Sequence, residues 1–271
     1  LPDSRRARLI HRKATEATKK LKDKAVLITG AGSGLGREMA LTFAREGARI
    51  GVNDIRPESA QNVTTEVERA GGRARAVVAD VSNSTAVKKL FADFLAAFGT
   101  IDVLINNAGI GRTREDVTEV IGTQDLTDED FDKMVRTHLY STFYCTREAL
   151  KTMIPKRSGR IVNLGSIAGT TGLAFASHYC AAKGAIISFT KSMARELVPH
   201  GILVNCIAPG FIDTPMTAPI IGEIREQVIK MTPIGRFGEP RDIAAAALYL
   251  SCDDSAFMVG QVISPNGGYV I

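Results

Sequence analysis

Tyr179 and Lys183 stand four residues apart in the stretch SHYCAAKGA (177–185), with only small residues between them. On a helix, positions i and i+4 share a face, with Cβ atoms about 5–6 Å apart. An ammonium placed there favours the ionised form of a phenol whose ordinary pKa is about 10. The pair then acts as a general base near neutral pH. Any surface helix can carry a Tyr-x-x-x-Lys by chance, so the pair gains meaning only from what positions it.

What positions it is a regular alternation. From residue 24, short apolar runs at 24–29, 49–54, 74–80, 101–109, 159–166 and 202–210 predict strands. Between them, helical periodicity runs over 36–48, 58–71, 84–98, 127–154 and 177–198. Strands that are apolar throughout belong to a sheet covered on both faces. The alternation predicts an α/β fold, a Rossmann-type doubly wound parallel sheet flanked by helices in a single domain. Tyr179 and Lys183 fall near the start of the long helix after the fifth strand.

TGAGSGLG (29–36) closes the first strand and opens the first helix. Gly30, Gly34 and Gly36 allow a tight turn and a close approach to a pyrophosphate, which a helix N-terminus attracts. The spacing is G-x-x-x-G-x-G, and alone it fits a packing turn equally well. Asp54 lies 18 residues beyond Gly36, at the end of the second strand. A carboxylate there holds the ribose 2′-hydroxyl of NAD and repels the 2′-phosphate of NADP. Ser33 adds no cation for that phosphate, while Arg56 could swing toward one. NAD is therefore expected over NADP.

TGAGSGLG, NNAG (106–109), Ser166, YCAAK (179–183), APGFIDT (208–214) and the closing run at 235–268 occur in this order. Together they resemble the short-chain dehydrogenase/reductase family, from about Lys22 to the C-terminus. The resemblance implies an enzyme acting on CH–OH groups with a nicotinamide cofactor. It implies that Gly30, Ser33, Gly34, Leu35 and Gly36 hold the pyrophosphate and that Asp80 and Val81 flank the adenine. Asn106, Asn107, Ala108 and Gly109 line the adenosine side, and Pro209, Gly210, Ile212 and Thr214 hold the nicotinamide end. Tyr179 is then the catalytic acid/base, Lys183 also binds the nicotinamide ribose, and Ser166 donates to the substrate oxygen.

One position departs from the pattern. Where the family usually has Asn-Leu-x-Gly, this chain has HLYS (138–141). His138 takes the place of an Asn that supports a water relay to the lysine. An imidazole can donate and accept, so His138 either serves that relay or fills a buried polar gap. His178 is expected to be peripheral, and His11 and His200 to lie on the surface.

The 271 residues are 45% hydrophobic and 23% charged, the balance of an ordinary soluble domain. No run of apolar residues is long enough to span a membrane. Cys145, Cys180, Cys206 and Cys252 lack metal-ligand spacing, so no metal is expected. They read as reduced, buried thiols of a cytoplasmic protein. The net charge of +5 concentrates in residues 1–24, so 1–21 reads as a basic N-terminal extension on a catalytic domain at 22–271. The extension reads as a solvated arm, with no nucleic acid expected. The run at 111–126 is a candidate pocket rim, and 214–237 a substrate lid. Phe211, Met216 and the stretch at 172–178 suggest a mainly apolar pocket for a small-molecule alcohol or ketone. The helices at 127–154 and 177–198 form the subunit contacts of a homotetramer in the family. Two alternatives stand beside the alcohol dehydrogenase: a 3-oxoacyl thioester reductase, and a nicotinamide-binding scaffold that has lost catalysis.

Overall fold

The computed structural model describes residues 19–111, 113 and 121–271. His11, most of the basic extension and much of the run at 111–126 lie outside the described residues. Seven parallel strands form one sheet in the order β3-β2-β1-β4-β5-β6-β7. They are β1 (Ala25–Ile28), β2 (Arg49–Val52), β3 (Arg73–Ala76), β4 (Val103–Asn106), β5 (Gly159–Leu164), β6 (Ile202–Ile207) and β7 (Val262–Ile263). The order reverses between β1 and β4, and ligands of doubly wound sheets bind at such a point, beyond the strands' C-terminal ends.

β1 shows why the central strands are apolar at every position. Val26 and Ile28 pack with Met39 and Phe43 on one face, and Ala25 and Leu27 with Phe94 and Leu104 on the other. Helices α1 (Gly34–Arg45) and α2 (Pro57–Arg69) cover the first face, with α9 (Pro240–Ser251). Helices α3 (Ser84–Phe98), α5 (Ser141–Lys156) and α7 (Ser177–Leu197) cover the second. The edge strand β3 differs: Arg73 and Arg75 are exposed and only its alanines turn inward. Leu21, one residue ahead of Lys22, is buried in the core. The short edge strand β7, beside Cys206 and Ile207, has no periodic signal in its two residues.

The helix expected over 127–154 is broken. Thr127 opens α4 (Asp128–Val135) with a capping box, its side chain accepting from the Asp130 amide at 3.2 Å. A π-helical turn then spans Arg136–Tyr140 before α5 begins. Such a turn inserts one extra residue into a helix and is frequent at functional sites. The carbonyls it leaves over are met by local hydroxyls: Ser141 Oγ donates to Thr137 O at 2.6 Å, and Thr142 Oγ1 to His138 O at 2.8 Å. The remaining α-helices are α6 (Ala168–Thr171) after β5 and α8 (Gly222–Met231) within the expected lid.

Candidate active site

Every expected site segment lies at the C-terminal edge of the sheet. The glycine-rich loop follows β1, Asp54 follows β2, Asp80 follows β3 and Asn107–Gly109 follow β4. Ser166 follows β5 and Pro209–Thr214 follow β6.

The loop after β1 is held from below. Thr29 Oγ1 accepts from the amides of Asn107 and Ala108 at 3.0 Å each, and Asn107 Nδ2 donates to the carbonyls of Thr29 and Gly30 at 2.9 and 3.0 Å. A Cβ at Gly36 would lie 2.4 Å from Gly30 O, so only glycine lets α1 start this close to the turn. Ser33 makes no side-chain capping bond at the helix start, which leaves the first amides of α1 for an anion. Asp54 is buried: one carboxylate oxygen accepts from the Gly32 amide and the other from the Arg56 amide, both at 3.0 Å. The exposed Arg56 side chain folds back, its Nε 3.6 Å from Asp54. Asp80 accepts from the Ser82 amide in a tight turn beside the buried Val81. Gly210 donates to Pro265 O at 3.1 Å, Ile212 bridges to Gly238, and Thr214 is tied to Thr217. The cradle, the carboxylate and these tethered backbones fit a nicotinamide dinucleotide.

The reacting end gathers around the end of β5. Lys183 is buried, and its Nζ donates to Leu164 O at 2.8 Å. It lies 5.7 Å from the centre of the Tyr179 ring. Burial holds the lysine down to about 8, well below its usual 10.5. Burial also raises the Tyr179 phenol above its usual value, against the nearby Ser166 hydroxyl, which lowers it. The expected depression of the phenol by Lys183 is thus outweighed by burial. Desolvation of the phenolate wins, because Lys183 is itself buried and its charge costly. Ser166 Oγ accepts from the Ala168 amide at 3.1 Å, just ahead of α6.

His138 is carried inward by the π turn and is 1% exposed. Its Nε2 lies 2.9 Å from Ile110 O and 3.2 Å from Ile110 N. Its ring meets Tyr179 edge-on, with centres 5.4 Å apart. A Cβ on Gly109 would fall 2.4 Å from His138 Cε1, so the ring occupies the space that a side chain at 109 would need. Burial first, then the charge of Lys183, keeps the imidazole well below its usual 6.5 and hence neutral. Its Nδ1 has no hydrogen-bond partner among the described residues.

The comparisons with known proteins agree with this geometry. A family model described as enoyl-(acyl carrier protein) reductase matches residues 30–270. The chain belongs to the short-chain dehydrogenase/reductase family. It is 38% identical over 252 residues to a 3-oxoacyl-[acyl-carrier-protein] reductase of Thermotoga maritima, covering 93% of this chain and all of that one. A reductase of the same name from Chlamydia muridarum is 37% identical, over 92% of this chain and 98% of its own length. Among solved structures, a short-chain type dehydrogenase/reductase from Mycobacterium marinum superposes with a TM-score of 0.86 at 31% identity, covering 93% of this chain and 98% of that one. A candidate gluconate dehydrogenase from Agrobacterium tumefaciens gives 0.87 at 34% identity, over 94% and 99% of the two chains.

Within this dehydrogenase/reductase framework the structure brings Ser166, Tyr179, Lys183 and His138 together. His178, expected at the periphery, is buried with an unpartnered Nδ1, because α4 packs over the start of α7. His200 is half-buried, and Cys180 is half-buried with its Sγ 3.2 Å from the Leu173 amide. The supporting roles of Thr29 and Asn163 were not evident from the sequence. Asn163 accepts from Asn106 at 2.8 Å and donates to Thr190 at 2.9 Å, pinning β4, β5 and α7 together. Its signal, a lone Asn inside the apolar run IVNL (161–164), is visible only in hindsight. Among the described residues no cluster of His, Cys, Asp or Glu could hold a metal, and no helix is long and apolar enough to cross a membrane.

Proposed function

We propose that the protein interconverts a secondary alcohol and a ketone, with Ser166, Tyr179 and Lys183 as the reacting groups. The observation that carries this reading is the gathering of Ser166 and Tyr179 beside a buried lysine, its Nζ 5.7 Å from the phenol ring centre and tethered to the end of β5. When bound, the nicotinamide accepts or supplies the hydride. In the oxidative direction Tyr179 takes the hydroxyl proton, and Ser166 donates a hydrogen bond to the substrate oxygen. Lys183 presents its remaining N–H groups toward the cofactor ribose and stabilises the phenolate once the phenol has given up its proton. His138, as a neutral imidazole, holds the Gly109–Ile110 loop and the Tyr179 ring in register as a positioning residue.

NAD is the favoured cofactor. A buried Asp54 with both oxygens engaged at the β2 end supports 2′-hydroxyl binding and opposes a 2′-phosphate. Gly30, Ser33, Gly34, Leu35 and Gly36 serve the pyrophosphate, and Asp80, Val81, Asn107, Ala108 and Gly109 the adenosine. Pro209, Gly210, Ile212 and Thr214 serve the nicotinamide. A second reading, reduction of a 3-oxoacyl thioester, is favoured by relatives named for that activity. For assembly we propose a homotetramer built on α5 and α7. Phe143 is 40% exposed, beside a groove lined by Leu150, Ile154, Phe189 and Met193. The deciding experiment measures NADH formation across cyclic, aliphatic and hydroxyacyl alcohols, with Tyr179→Phe alongside. Turnover that survives in Tyr179→Phe overturns the mechanism.

A further inference from the structure

The loop after β6 that carries Pro209, Gly210, Ile212 and Thr214 belongs to no helix or strand, yet its backbone is held from two directions. From one, the Ala208 amide donates to Ile263 O at 2.8 Å and the Gly210 amide to Pro265 O at 3.1 Å. Ser264 Oγ also donates to Ala208 O at 2.8 Å. From the other, the Gly238 amide donates to Phe211 O at 2.9 Å and the Asp213 amide to Gly238 O at 2.8 Å.

Residues 264–270, which supply part of the first set, are neither helix nor strand themselves. Their order comes from one buried side chain. Asn266 Nδ2 donates to Ser264 Oγ and to Val270 O, each at 2.9 Å, and its Oδ1 accepts from the Gly268 amide at 2.8 Å. Gly267 and Gly268 take φ of +66° and +86°, the left-handed turn that brings Val270 back to Asn266. A Cβ on Gly210 would lie 2.8 Å from Asn266 Cα, so the two backbones touch.

That closed turn presents Tyr269 to the loop. Its ring meets Phe211 edge-on at 5.1 Å, and Phe211 in turn meets Phe237 at 5.9 Å. Arg225 lies 4.1 Å over the Phe237 ring and pairs with Asp213 at 3.2 Å, which leads the contacts back to the loop. The Tyr269 hydroxyl reaches Met231 Sδ at 4.0 Å, a weak contact, so its ring carries the packing. A glycine-containing loop left free would have to be ordered by its ligand, and that ordering subtracts from binding.

We infer that Tyr269 and Asn266 are positioning residues for the nicotinamide: through Phe211 and Gly210 they hold the 208–214 backbone in its binding geometry before the cofactor arrives. The inference rests on the reading that this loop serves the nicotinamide, and it adds the residues that shape the loop. Residues 264–270 follow β7, at the opposite edge of the sheet from β3 and its neighbour β2, so their effect is confined to one end of the dinucleotide.

The test compares NADH with ADP-ribose, which carries the adenosine and pyrophosphate but no nicotinamide, on the whole chain. Kd is measured for both in wild type, Tyr269→Ala, Asn266→Ala and Tyr269→Phe. The two alanine variants should weaken NADH by about 3- to 10-fold, the worth of one aromatic pair, and leave ADP-ribose unchanged. Tyr269→Phe keeps the ring and should match wild type. Without any cofactor, hydrogen exchange at the Gly210, Asp213 and Gly238 amides should quicken in the alanine variants and not in Tyr269→Phe. Equal losses for NADH and ADP-ribose overturn the inference, and so does a lowered Tm with their ratio unchanged, because a merely structural role produces either result. Thr214→Ala separates the inference from the reading beneath it. If Thr214→Ala shifts the ratio and Tyr269→Ala does not, only the positioning role falls. If neither shifts it, the loop does not serve the nicotinamide and both fall.

Discussion

The two sides of the active-site cleft are built on opposite principles. On the cofactor side, polar groups hold one another: Thr29, Asn107, Asp54 and the Gly32 amide form short, buried hydrogen bonds, and a Cβ at Gly36 has no room. On the substrate side, Phe175, Ile221 and Ile224 stand in solvent, and of the apolar face of α8 only Val228 is buried. The difference is one of preorganisation. A dinucleotide offers fixed charges and hydroxyls, and a rigid set of donors meets them without reorganisation. An apolar body offers area and few directions, so the surface that receives it can remain open until it arrives.

Four substitutions or titrations sharpen that contrast. The largest effect falls between the two sides: Tyr179→Phe should lower kcat by about 10³-fold, within the range for loss of a general acid/base. NADH binding, followed by fluorescence, should change little. Next, Asp54→Ala should narrow the preference for NAD over NADP by about 10-fold or more, the worth of a charge-assisted hydrogen bond. Unchanged selectivity in paired Kd measurements would remove Asp54 from the ribose site.

Smaller effects test the rigid side's packing. Gly109→Ala should destabilise the fold by about 1–3 kcal/mol, because its Cβ would enter the space of the His138 ring. Adding His138→Ala should recover part of the lost Tm, and a strictly additive double variant would break the proposed contact. The smallest effect is a titration. Lys183 binds its proton less tightly folded, at about 8, than unfolded, near 10.5. Between those values the unfolded chain holds more protons, so stability rises with pH across the window. The raised Tyr179 phenol opposes this above about pH 10. From about pH 8 to 10, then, wild type should gain Tm relative to Lys183→Met; a parallel pair of curves would contradict a buried, charged lysine.

The same contrast explains what could be read in advance. Strand positions followed from uninterrupted apolar runs, as in β1, where alternate residues serve two different cores. The long helix over 127–154 kept its helical period through residues 136–140, and period alone does not distinguish a π turn from an α turn. That is why the π turn that carries His138 was not legible, although its place at a relay or a buried polar gap was expected. The burial of His178 has a related reason: its 100° offset from Tyr179 says where it points on α7, and only the packing of α4 says what lies there.

By itself the sequence determined the doubly wound sheet, the glycine loop, Asp54 at the second strand's end and the Tyr179–Lys183 spacing, because each depends on local geometry or a fixed period. The tertiary structure alone decided the charge states and the contacts. Burial holds Lys183 down and Tyr179 up, and the π turn lays His138 between Gly109 and the phenol ring. On the apolar face of α8 only Val228 is buried, while Ile221, Ile224 and Met231 stay exposed. Desolvation and close approach arise only when distant segments meet, and no local pattern encodes which segments those will be.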